Sequence, residues 1–198
     1  MAIGAVVAMA LVTAGLVAAD RLSLRYRPVT IVVHRPETPA TVATALGNLR
    51  PKAPFVVVDT ANNRLAIVQA DGSVEHVAPC STGSGTTLRD PETGKTWVFN
   101  TPLGVHKIRR KVKDPVWVKP DWAFIEEGER PPKRRSDRYD DVSLGDYALY
   151  MDDGYLIHGT LFQTLLGRGV THGCIRLGDK DLELVFRRVP AGAAVLIF

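Results

Sequence analysis

Residues 55–69 read FVVVDTANNRLAIVQ. Two runs rich in Val and Ile, FVVVDT and RLAIVQ, flank the polar triplet ANN, the pattern of two strands joined by a turn. The next stretch, QADGSVEHV, sets an Asp-Gly turn between β-prone residues, so a third strand is expected and the three form a meander. TWVFN, GVHKIRRKV, YALYM, YLIHGT and AVLIF are further strand candidates, separated by Gly, Pro, Asp and Asn clusters. The expected fold is therefore mainly β. Two segments read as helical: TLFQTLLG, and DKDLELVFRRV, where Asp179 is placed to cap and Leu182, Val185 and Phe186 fall on one face. Residues 111–146 hold prolines and a mixed charge run without a sustained period, and are predicted to form a long loop.

The chain has 198 residues, enough for one domain with a sizeable core and a modest appendage. Its 45% hydrophobic and 23% charged content exclude a wholly disordered chain. The net charge of +4 suits an anionic surface without naming one. The cluster KRR at 133–135 reads as a solvated face, and with no helix-turn-helix or zinc pattern nucleic acid is not an expected partner.

Ala2 to Ala19 run apolar without a charge, which predicts a signal peptide or a membrane anchor over residues 1–19 and an extracytoplasmic site of action. Arg21, Arg25 and Arg27 follow the run and no Lys or Arg precedes it, the opposite of the charge placement that favours export. Residues 20–53, rich in Pro, Ala and Thr, read as a tether, and residues 54–198 as the folded domain.

Two cysteines, Cys80 and Cys174, do not make a disulfide framework, and Cys174 is expected to be a free thiol. Its setting is THGCIRL, residues 171–177, with a second histidine upstream in YLIHGT, residues 155–160. A thiol becomes a nucleophile when a base lies within reach, and His158 and His172 are the candidates. His158 ends an apolar strand, from which its ring can enter a cleft, and the carbonyl of Gly159 is placed to orient it. Gly173 permits close backbone approach, so the amides of Gly173 and Cys174 are candidate oxyanion donors, and Arg176 can pair with a substrate carboxylate. By contrast, Cys80 has no adjacent histidine and reads as a small core residue. A zinc site using His158, His172 and Cys174 is a rival reading that lacks a fourth ligand in this window, and a non-catalytic wall-binding module is another.

HGT followed by THGCIRL resembles the signature of the L,D-transpeptidase catalytic domain, in which a histidine precedes a Ser or Thr, His-Gly-Cys segment with Arg or Asn two residues after the Cys. The likeness extends through VVVDTANNRLAIV, CSTGS, TPLGVHKI, DPVW and LGDYALY over residues 55–198. It implies a mixed β-sandwich with one or two short helices. It further implies an envelope enzyme that acts on peptidoglycan stem peptides through a cysteine acyl-enzyme, without cofactor or metal. Cys174 would be the nucleophile and His158 its base, oriented by Gly159; Thr171, His172, Gly173 and Arg176 would shape the oxyanion and substrate sites. Transfer to an amine is the implied outcome, with a thiol L,D-carboxypeptidase as the alternative; the long loop, carrying Trp117 and Trp122, is the expected cover.

Overall fold

The computed structural model describes residues 51–198. The predicted signal or anchor segment and all but the last three residues of the predicted tether lie outside the described residues. Regular structure begins at the opening meander, β1 (Phe55–Asp59), β2 (Arg64–Val68) and β3 (Val74–Gly83), whose strands pair antiparallel in sequence order. The first turn closes because the Asp59 carboxylate accepts from the Asn62 amide at 3.0 Å and its side chain at 2.7 Å, while Asn63 takes the left-handed conformation that asparagine tolerates. The Asp-Gly turn forms as expected, with Gly72 at φ +93°.

Further strands are β4 (Thr87–Arg89), β5 (Thr96–Val98), β6 (Gly104–Lys107), β7 (Arg110–Lys113), β8 (Trp117–Val118), β9 (Tyr139–Asp140), β10 (Tyr147–Tyr150), β11 (Leu156–His158), β12 (Gly169–Thr171), β13 (Ile175–Leu177) and β14 (Ala194–Ile197). Ten of the described strands make one mixed sheet, running β6-β14-β1-β2-β3-β13-β11-β10-β7 with β12 beside β3. The pairs β1–β14, β11–β13 and β3–β12 are parallel.

The predicted single strand GVHKIRRKV is broken in two, and the break shapes the molecule. Strands β6 and β7 lie at opposite ends of the sheet path, yet only Ile108 and Arg109 separate them. Two extended residues span about 7 Å, so the sheet must curl until its two edges nearly meet. Ile108 donates to the Ala193 carbonyl beside one edge, and Arg109 to the Tyr150 carbonyl beside the other. Val56, Val58, Leu65 and Ile67 from one half of the sheet thereby share a core with Leu149, Ile157, Ile175 and Leu177 from the other.

Of the two helices predicted, one forms. The helix α2 (Asp179–Arg188) buries Leu182 and Val185 in the core and sets Phe186 against Tyr147 at 4.5 Å. The N-cap is Gly178 rather than Asp179, which sits in the first turn, where a carboxylate suits the helix dipole, and accepts from Gln163 at 2.9 Å. The other segment keeps only a single 3₁₀ turn, Gln163–Leu165. Its backbone is committed to β3 instead: Leu165 accepts from the Ser81 hydroxyl and Gly167 donates to Cys80.

Residues 111–146 are more ordered than a long loop. They contain β8 and β9, which pair with each other, and a six-residue helix, α1 (Asp121–Glu126). Arg138 fixes this helix through the Asp121 carboxylate at 2.7 Å and the Pro132 carbonyl at 2.8 Å. Among the described residues no helix is long and apolar enough to cross a membrane.

Candidate active site

The strand β11 pairs parallel with β13 and β13 antiparallel with β3, bringing His158, Arg176 and Ser81 into register. Directly paired residues share a face, and alternate residues along a strand do too. Ile157, Ile175 and Leu177 point into the core, so His158 and Arg176 point the other way, and Cys174, two residues before Arg176, joins them. They line a cleft of about 830 Å³ with His172, Trp117 and Trp122. The predicted catalytic residues are therefore assembled by strand pairing.

Cys80 and Cys174 are both free thiols. Cys80 is wholly buried, and desolvation pushes its thiol up to about 12, as befits an inert core residue. Cys174 is half-buried immediately before β13. Burial raises its thiol above the ordinary range, while an amide of Leu156 and the Arg176 guanidinium work in the opposite direction. His158 is 6% exposed. Desolvation and the nearby Arg176 charge depress it to about 3, against a smaller opposing effect of the Gly159 backbone. The resting pair at neutral pH is accordingly a thiol and a neutral imidazole.

Nδ1 of His158 is buried and forms no hydrogen bond of ordinary geometry among the described residues. The Gly159 carbonyl thus influences the ring without closing the orienting bond expected from the sequence. What fixes Gly159 is its own amide, which donates to Leu144 at 2.7 Å, and a close approach to Gly145 that leaves a Cβ only 3.1 Å from the Gly145 Cα.

The turn before Cys174 is held by threonines. The Thr171 hydroxyl donates to the Cys174 carbonyl at 2.6 Å and accepts from the Gly173 amide at 3.1 Å. The Gly173 amide, expected to face an oxyanion, is therefore engaged within the turn. The Thr101 hydroxyl donates to the Gly173 carbonyl at 2.9 Å and accepts from Gly83 at 2.8 Å. Gly173 itself has φ +119°, and a Cβ there would lie 2.6 Å from Tyr155 Cε1, so this position demands glycine.

His172 turns to a different neighbourhood. Its Nε2 lies 2.7 Å from Glu126 Oε2, its face stacks on Trp122 at 4.2 Å and 21°, and it meets Phe99 edge-on at 4.5 Å. Sequence reasoning missed Glu126, Phe99, Thr101 and Tyr155. Only Glu126 left a signal, its four-residue spacing from Trp122, which places both on one side of a helical turn.

In sequence and in fold the chain resembles known proteins. The L,D-transpeptidase catalytic domain model (YkuD) matches residues 53–197. The probable L,D-transpeptidase ErfK/SrfK of Salmonella typhimurium is 32% identical over 145 residues, covering 72% of this chain and 43% of that protein. The putative L,D-transpeptidase YqjB of Bacillus subtilis is 30% identical over 151 residues, covering 76% of this chain and 74% of that protein. This chain thus spans less than half the length of the Salmonella relative. In fold it matches an L,D-transpeptidase from Xylanimonas cellulosilytica with a TM-score of 0.53 at 22% identity, over 81% of this chain and 70% of that one. L,D-transpeptidase 3 of Mycobacterium tuberculosis, crystallised with a faropenem-derived adduct, matches with a TM-score of 0.52 at 22% identity, over 73% of this chain and 60% of that one. With a signature cysteine and histidine on one face of the same curled sheet, and a family match across the whole described domain, the chain belongs to the L,D-transpeptidase catalytic domain family.

Proposed function

We propose that this chain is a cysteine L,D-transpeptidase that acylates itself with a peptidoglycan stem peptide and passes the acyl group to an amine. The observation that carries the reading is the placement of the half-buried thiol of Cys174 on the face shared by His158 and Arg176. His158, neutral when the site is empty, takes the thiol proton as sulfur attacks the donor carbonyl, and then returns it to the departing amine. Because burial disfavours both thiolate and imidazolium, the charged pair forms in the course of attack. The Arg176 charge supports the developing thiolate and is positioned for a substrate carboxylate. With the Gly173 amide engaged by Thr171, the Cys174 amide is the donor left in this turn for the oxyanion.

The family likeness favours amine transfer over hydrolysis, and the tryptophan-bearing segment is consistent with it. Trp117 and Trp122 lie 5.8 Å apart along the cleft, and the segment bearing them excludes water from a thioester while leaving a groove for the acceptor. In this reading the substrate lies in the cell envelope, and residues 1–19 export the chain or anchor it outside the cytoplasm, with residues 20–53 as the tether.

The test is a carbapenem incubation followed by mass spectrometry, and a tetrapeptide donor with a diaminopimelate-containing acceptor. A single adduct on Cys174, lost in Cys174→Ala and kept in Cys80→Ala, together with cross-linked dimer, is the expected result. An adduct elsewhere overturns the nucleophile; tripeptide without dimer at any acceptor concentration makes the chain a thiol carboxypeptidase.

A further inference from the structure

Two histidines line the cleft, and their surroundings are opposite in kind. His158 has the Arg176 cation beside it and, among the described residues, no carboxylate partner. His172 has the Glu126 carboxylate at 2.7 Å, an indole against its face and a phenyl ring at its edge, so that its plane is set on three sides. Both Glu126 and Trp122 come from α1, the short helix that Arg138 holds in the covering segment. The aromatic packing fixes where the ring lies, and the carboxylate fixes which nitrogen carries hydrogen.

An ionised carboxylate only accepts hydrogen bonds, so Nε2 of a neutral His172 bears the proton and Nδ1 keeps the lone pair. Among the described residues, Glu126 is the hydrogen-bond partner of this ring, through Nε2. His172 therefore brings one committed nitrogen and one open acceptor to the cleft that holds Cys174. A carboxylate behind an imidazole selects the tautomer and stabilises the imidazolium as the opposite nitrogen takes a proton.

Resting on the transpeptidase reading above, we propose that Glu126 is a positioning residue which holds His172 with Nδ1 open, and that His172 so held accepts the proton of the amine attacking the thioester at Cys174. The step balances. The acceptor nitrogen forms a bond to the thioester carbon, the carbon–sulfur bond breaks, the proton shed by nitrogen passes to Nδ1, and from there it reaches the departing sulfur. The amide product, the thiol and the neutral ring are restored. His158 then serves the thiol and the first leaving group, and His172 serves the second nucleophile. Because Glu126 belongs to the covering segment, the second half-reaction depends on that segment being seated.

The experiment compares the full chain with Glu126→Gln and Glu126→Asp in two assays: carbapenem adduct formation at Cys174, and kcat and KM for amine acceptor in dimer formation from a tetrapeptide donor. Glu126→Gln keeps the size and a hydrogen-bonding group but not the charge, so the ratio of transfer rate to adduct rate should fall on the order of 10²-fold, in kcat rather than acceptor KM. Glu126→Asp should recover part of it. Equal loss in both assays, or with matching loss of thermal stability, assigns Glu126 a merely structural role and overturns the proposal. An unchanged ratio overturns it as well. A wild-type chain that forms no adduct refutes the transpeptidase reading and this inference with it, so the two failures are told apart.

Discussion

His158 carries an electrostatic cost of burial. Its folded-state pKa of about 3 lies below the ordinary histidine value of 6.5. A depressed group contributes stability above its unfolded pKa and loses it as pH falls toward the folded one, because the unfolded chain binds the proton first. Between about pH 6.5 and about pH 4.5, His158 should therefore cost the fold about 2–3 kcal/mol. Denaturant midpoints measured at both pH values for the wild type and His158→Gln check this: the wild type should lose more, and parallel losses would remove the depressed histidine from the account. The grouping of Cys174, His158 and Arg176 was legible in the sequence through the residues that flank the thiol and the likeness of HGT and THGCIRL to a family signature. Their charge states were not. Those depend on burial, and burial of His158 arises from the neighbours that β10 and β13 bring alongside β11.

At the scale of elements, the turn at residues 171–174 carries Cys174, the proposed nucleophile, and contacts distant in sequence hold it. Thr101, a residue 8% exposed that follows β5, ties the Gly173 carbonyl to the Gly83 amide with one hydroxyl. Thr101→Val preserves shape but leaves a buried amide and carbonyl unpaired, and should cost about 1–3 kcal/mol while slowing adduct formation at Cys174. Thr101→Ser should retain both. Urea midpoints and adduct rates provide the readout, and a Val variant as stable and as reactive as wild type would show that the turn holds without this link. The meander was legible because asparagine and Asp-Gly turns are local chemistry. The helix α1 was not, because six residues between prolines carry too little periodicity to register, and it is held by Arg138 from seventeen residues away. The helix predicted at TLFQTLLG failed for the complementary reason. Leu161 and Phe162 face solvent, and the backbone that would close a helix is spent on β3.

For the whole molecule the C-terminal strand is decisive. β14 lies between β6 and β1, pairing antiparallel with the first and parallel with the second, and Phe198 exchanges backbone hydrogen bonds with Val58 and Thr60. Deleting residues 194–198 strips β1 of one of its two neighbours, leaves β6 without a strand partner among the described residues and removes the buried Val195 and Ile197. The truncated chain should lose cooperative unfolding altogether, as followed by near-ultraviolet circular dichroism during heating; a sharp transition near that of the full chain would mean the strand is dispensable. From its residues alone the chain determined the β character, the turns of the opening meander and the histidine–cysteine signature, since each is set by the chemistry of residues close in sequence. Tertiary structure alone decided that β6 and β7 close a curled sheet, that Thr171 occupies the Gly173 amide, and that Glu126 clamps His172. The pairing partners in these cases lie far apart along the chain, and only the cost of leaving buried polar groups unpaired selects among them.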